Sequence, residues 1–161
     1  MLRTFGRLIT FALLALASLS FANETNTTRT ILTIKGKVTT LQALSLADLD
    51  KLPQYKMTVP TPWYPEPQTF EGPLLRDVLK LAGVSSGALR LSALNDYTIE
   101  IPASDAFTYD VIVASRLGGK TMSIREKGPL FIMYPFDQHA DLRKTDYYRR
   151  CAWQLKLITV Q

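Results

Sequence analysis

Cysteine is nearly absent from this chain. Its 161 residues hold one, Cys151. A single thiol closes no internal disulfide, so a hydrophobic core must hold the fold together. The first half of the chain offers no soft thiolate to a metal ion. Histidine is equally scarce: His139 is the only one. One imidazole builds no zinc site, and catalysis through it would need a nucleophile that the sequence does not show. With Asp137 and Asp141 nearby on a polar stretch, His139 reads as a solvated loop residue. Beyond residue 22, no segment approaches the roughly 18 apolar residues of a membrane-spanning helix. There is no internal repeat and no low-complexity tract. The net charge of +5 is scattered, apart from Arg143, Lys144, Arg149 and Arg150 near the end, so no nucleic-acid-binding stripe is present.

What is present begins with residues 1–22, MLRTFGRLITFALLALASLSFA. Arg3 and Arg7 start it, an apolar run fills its middle, and Ser20-Phe21-Ala22 gives a small-x-small cleavage site. That pattern is a secretory signal peptide; the other reading is an amphipathic N-terminal helix. The two arginines stand apart, so the expected route is the general secretory one, which exports an unfolded chain. Residues 23–29 are expected to form a flexible polar tail, and Asn23-Glu24-Thr25 and Asn26-Thr27-Thr28 are read as part of it. Residues 30–161 suffice for one domain.

Along that domain, the β-branched run from Thr30 predicts a strand ending at or just after Gly36, with Leu32 and Ile34 on one face. Ser45 with Asp48 three residues on predicts the start of a short helix that Pro53 ends. Lys56–Val59 reads as a strand. The next stretch, PTPWYPEPQTFEG, carries four prolines within eight residues and reads as a stiff loop bearing Trp63, Tyr64 and Phe70. Pro73 then opens the best helix, with Leu74, Leu75, Val78, Leu79 and Ala82 in one stripe and Gly83 as its stop. Strands are expected over Ala88–Leu94, Tyr97–Ile101, Asp110–Ser115, Leu130–Tyr134 and Trp153–Val160. Turns fall at Asn95-Asp96 and Gly118-Gly119, and a long loop runs from Pro135 to Tyr148. The sum is α+β: β-rich with a few short helices.

Several pieces recur in a set order: Phe70-x-Gly72-x-Leu74-x-x-x-Val78-Leu79, Asn95-Asp96-Tyr97, Ile101-Pro102, Gly119-Lys120, Lys127-Gly128-Pro129-Leu130 and Tyr134-Pro135. A last strand led by an aromatic residue closes the series. From about Ile34 to Val160 the chain resembles the oxidoreductase molybdopterin-binding family, of the sulfite oxidase type. It is most similar to short exported members ending in Tyr-x-Arg-x-x-Trp-Gln, here Tyr148, Arg150, Trp153 and Gln154. The resemblance implies a pterin-shaped pocket. It also implies a metal-ligating cysteine in the loop ahead of Phe70, but Leu52–Thr69 supplies tryptophan, tyrosine and prolines instead. Met57 is an uncharged thioether and a poor substitute. In that family the molybdenum cofactor is inserted in the cytoplasm, so export of an unfolded chain also speaks against a metal-loaded enzyme.

The expectation is therefore a non-catalytic periplasmic protein that binds a reduced pterin, of the tetrahydropterin type, without molybdenum. Candidate contacts are Trp63, Asp96, Tyr97, Asp137, Tyr148, Arg150 and Trp153. Trp63 is either a stacking platform for a flat heterocycle or a loop tryptophan folded onto the core. Trp153 is either core packing, a pocket wall, or both. Arg150 offers a rigid fork to carbonyl or carboxylate oxygens, or else pairs at the surface with Asp146 or Asp141. A carboxylate facing the pterin N–H groups is expected from Asp137, with Asp96, Asp141 and Glu100 as alternatives; Asp96 also fits plain turn chemistry. Cys151 reads as a buried small residue. Short proteins resembling this one are associated with periplasmic domains of inner-membrane enzymes that make or degrade cyclic di-GMP, which implies such a domain as the partner. The competing expectations are a molybdopterin-dependent oxidoreductase acting on sulfite or sulfoxides, and a scaffold that binds only protein.

Overall fold

The β-branched run at the start of the domain does form a strand. In the computed structural model, which describes residues 28–161, β1 spans Thr30–Gly36 and buries Leu32 and Ile34 completely. It pairs with β2 (Gln42–Ser45) on one side and, in parallel, with the last strand β11 (Leu155–Val160) on the other. β5 (Ala88–Ala93) and β6 (Thr98–Pro102) complete a five-stranded sheet in the order β2-β1-β11-β5-β6. The period of two puts Leu89, Leu91, Ile101 and Ile158 on the same buried side. The expected signal peptide and residues 23–27 of the expected tail lie outside the described residues.

Ser45 caps α1 (Leu46–Asp50). Its hydroxyl accepts the Asp48 amide while the Asp48 carboxylate accepts the Ser45 amide and hydroxyl at 3.1 and 2.7 Å. These bonds hold the Asp48 carboxyl below the usual carboxylate range, with Lys51 at 2.8 Å as the largest contributor. The next strands are β3 (Gln54–Val59) and β4 (Gln68–Pro73), which pair antiparallel; β4 then pairs with β8 (Arg116–Leu117), and β8 with β9 (Lys120–Thr121). β4 corrects the sequence reading, which ran the proline-rich loop through Gly72. Only residues 60–67 are irregular. Pro73 ends the strand, where a missing amide costs nothing, and does not open the helix. A Cβ on Gly72 would collide with the Val113 carbonyl, so this position needs glycine for close strand approach.

Helix α2 (Leu75–Leu81) begins two residues later than expected. It has no side-chain cap; the Leu75 amide is satisfied by the Val111 carbonyl at 2.8 Å. Its Leu75, Val78 and Leu79 stripe and the following Ala82 are fully buried. A short α3 (Ser104–Thr108) leads to β7 (Ile112–Ala114), which pairs with β10 (Phe131–Met133). Both are buried throughout, matching their apolar composition. The segment Pro135–Tyr148 is not one loop. It holds a 3-10 turn at Ala140–Leu142 and helix α4, Thr145–Arg150. The architecture is α+β, β-rich with a few short helices. No helix among the described residues is long and apolar enough to cross a membrane.

Candidate functional site

The prolines of the 60–67 loop present Trp63 to three aromatic rings. Its indole lies 5.4 Å from Phe131, and stands edge-on to Trp153 at 5.9 Å and to Tyr148 at 6.1 Å. Phe131 in turn meets Trp153 and Phe70 edge-on at 6.1 and 5.7 Å. Such tilted contacts hold ring orientation as well as burying area. Trp63, Tyr148 and Trp153 remain only half-buried, so part of each faces outward. Trp63 is thus packed against the core while part of its ring stays exposed.

Beside this cluster lies a cleft of about 370 Å³, within the range of small-molecule sites. Trp63, Tyr97, Tyr148 and Trp153 line it, joined by Pro62, Cys151 and the polar residues Asn95, Thr145 and Arg149. Four of the seven sequence-predicted contacts therefore come together. Tyr97 is anchored by donating its hydroxyl to the Arg149 carbonyl at 3.0 Å, and its amide bonds the Asn95 side chain at 3.2 Å.

The other three do not reach the cleft. Asp96 sits in the left-handed region (φ +64°), its side chain 93% exposed and 3.4 Å from Lys156, which is the turn chemistry given as its alternative. Asp137 is exposed on the loop after β10, where the Arg143 side chain instead bonds the neighbouring Phe136 carbonyl at 2.6 Å. Arg150 turns inward. Its guanidinium reaches the buried Asp105 carboxylate at 2.6 Å and lies 4.5 Å from the centre of the Tyr147 ring. The same Asp105 oxygen accepts the Tyr134 hydroxyl at 2.7 Å. Burial, with the Asp105 charge second, pushes the Tyr134 phenol well above its ordinary range. Asp105 is the partner that sequence distance concealed; neither Asp146 nor Asp141 plays that part. Arg149, Asn95 and Thr145 are cleft residues that sequence reasoning missed. Asn95 opens the quoted Asn95-Asp96-Tyr97 motif, which was the available signal; Arg149 carried none that separated it from Arg150.

The terminal Trp-Gln pair has a structural reason. Gln154 holds a left-handed backbone (φ +53°), unusual for a residue with a side chain. Three bonds fix it there: its amide to the Lys127 carbonyl, its carbonyl to the Leu94 amide and its side chain to the Ile124 carbonyl, each at 2.9 Å. This junction sets the direction of Trp153. Lys127 Nζ sits 5.0 Å from the Trp153 ring centre and adds a cation–π contact.

A thiolate-bound metal does not fit these residues. Cys151 borders the cleft, but its sulfur is buried and donates to the Tyr147 carbonyl at 3.5 Å. Burial pushes its thiol above the ordinary range, the opposite of what a metal-ligating thiolate needs. The loop ahead of β4 supplies only oxygen and ring donors; Thr61 there buries a hydroxyl that no described residue pairs.

No family model matches the chain, and no curated protein matches it. Among solved structures, the sulfane dehydrogenase SoxCD from Paracoccus pantotrophus is similar, with a TM-score of 0.60 and 15% identity. The match covers 80% of this chain and 37% of that one, so the chain spans little more than a third of its structural neighbour's length. The likeness is one of fold.

Proposed function

We propose that this chain is a non-catalytic periplasmic binding protein for a reduced pterin, and that a periplasmic receptor domain of an inner-membrane cyclic di-GMP enzyme reads its ligand state. The observation that carries the reading is the aromatic cleft: Trp63, Trp153 and Tyr148 offer partly exposed ring faces and edges around a space of small-molecule size. Flat heterocycles gain most from such walls. Asn95, Thr145 and Arg149 supply amide, hydroxyl and guanidinium groups for ring oxygens and nitrogens. Among the described residues no carboxylate borders the cleft, so the pterin N–H donors would be met by backbone oxygens and by the second lone pair of Asn95 Oδ1, whose first accepts the Tyr97 amide.

The non-catalytic part rests on donor chemistry. The one thiol is buried and kept protonated, and the loop that holds the metal ligand in the resembling family has none. The expected result of metal analysis on protein purified from its native compartment is no stoichiometric molybdenum. Stoichiometric molybdenum would favour the oxidoreductase reading.

Signalling would work by population shift. Pterin would order the Trp63 loop and the 135–148 segment, and the receptor would bind the ordered form differently. The change in receptor affinity cannot exceed the difference in pterin affinity between the two forms. The test is recovery of the receptor's periplasmic domain with wild type and Trp63→Ala, each with and without tetrahydropterin. Recovery should respond to pterin in wild type only. Equal recovery in all four arms would leave a protein-binding scaffold.

A further inference from the structure

We propose a second binding surface: the groove across the outer face of β1 and β11 docks an acidic segment of a partner protein. It stands on its own observations, whatever fills the aromatic cleft. The five-stranded sheet buries Leu32, Ile34, Leu91 and Ile158 inward. Its outward side chains stay in contact with solvent, Lys35, Arg90 and Glu100 among them. Over β1 and β11 this face is concave, a groove of about 700 Å³ floored by Ile31, Thr33 and Leu157. One wall is the turn that carries Met122 and Ile124, the latter 59% exposed.

Charge selects the occupant. Among the described residues, Arg29, Lys35 and Lys156 line the groove and no carboxylate does. The nearby Glu126 is already held by the Ser123 amide and hydroxyl at 3.1 and 2.9 Å. Asp96 touches Lys156 only at 3.4 Å with its side chain 93% exposed, which neutralises little. Three cations in one concavity leave a positive potential that carboxylates would offset, while the aliphatic floor and Ile124 favour apolar side chains. A lone small anion would leave that floor uncovered, and a flat bilayer would not enter a groove. β1 and β11 are interior strands with their backbone bonds already used, so the segment would bind through side chains and not by adding a strand. Leu94 and Lys156 belong to the groove, while Asn95, next to Leu94, and Trp153, three residues before Lys156, belong to the cleft, so an occupant touches the same two segments that wall the cleft.

The experiment selects a displayed library of random peptides, about eight residues long, against the purified exported protein, since such a segment spans a surface of this kind. Enriched peptides are then titrated into wild type, a Lys35→Glu/Lys156→Glu variant and a Lys51→Glu/Lys80→Glu variant of equal net charge. The proposal expects peptides with carboxylates beside an aliphatic residue, and a loss of roughly tenfold or more in the first variant only. Any of three results would overturn it: no enrichment over an unrelated protein, enrichment of basic peptides, or equal loss in both variants. Vesicles of zwitterionic and anionic lipid form the last arm. Binding to anionic vesicles that the Lys35/Lys156 variant abolishes, with no peptide enrichment, would assign the surface to membrane instead.

Discussion

Helix α4 and the residues just after it serve two regions of opposite character. Tyr148, Arg149, Cys151 and Trp153 wall an open aromatic cleft. Tyr147 and Arg150 instead close over the buried carboxylate of Asp105, where Tyr134 completes the knot. In the knot the Asp105 carboxylate, the Arg150 cation and the Tyr134 hydroxyl have found their partners within the chain, so they hold α4 against α3 and the segment after β10. In the cleft the ring faces are incompletely covered and Arg149 makes no ion pair among the described residues. Two adjacent arginines thus have opposite roles, decided by what each can reach and not by residue type.

The comparison breaks most severely at Asp105. Asp105→Ala leaves the Arg150 cation and the Tyr134 hydroxyl unpaired in a mostly buried place, and should cost about 3 kcal/mol in urea denaturation. A loss under about 1 kcal/mol would mean that the knot does not anchor α4. The arginine pair sharpens the contrast. Arg150→Ala should cost about 2 kcal/mol of stability, while Arg149→Ala should stay within about 0.5 kcal/mol. Equal costs would erase the division between the two regions. Ser45→Ala, remote from both, should cost about 1 kcal/mol through the lost helix cap and leave ligand and partner binding unchanged.

At neutral pH the Cys151 thiol and Tyr134 phenol add nothing to pH dependence, because both are protonated folded and unfolded. Burial raises both folded values above the ordinary 9.0 and 10.0. Their contribution is complete below those values. As the pH rises past them, the unfolded chain releases protons that the folded chain keeps, and stability falls. The urea midpoint should therefore decline above about pH 9, with the onset delayed in Cys151→Ala. A flat wild-type profile to pH 10.5 would contradict this burial-based account.

Much of the scaffold was legible because it is locally encoded. The Ser45–Asp48 capping box, the α2 stripe, the alternation of β1 and the Gly118-Gly119 turn each carry their signal within a few residues. β4 was hidden because Gly72 read as the end of a loop and Pro73 as the start of a helix, whereas the glycine is required by the Val113 backbone across the sheet. α4 was hidden because TDYYRR has no apolar period and owes its place to the Asp105–Arg150 pair, 45 residues apart. Of the site, the aromatic residues were legible from stiff proline surroundings and motif order. The polar ones were not, since a carboxylate's value depends on where its turn points: Asp96 and Asp137 face solvent.

The central claim is that the aromatic cleft binds a reduced pterin, and calorimetric titration of tetrahydropterin under anaerobic conditions tests it most directly. The account predicts one saturable site in wild type, unchanged in Ser45→Ala and weakened by about 1–3 kcal/mol in Trp63→Ala, the cost of losing one buried wall. Absence of heat and of any thermal shift at millimolar tetrahydropterin, or binding equally strong in Trp63→Ala, would contradict it.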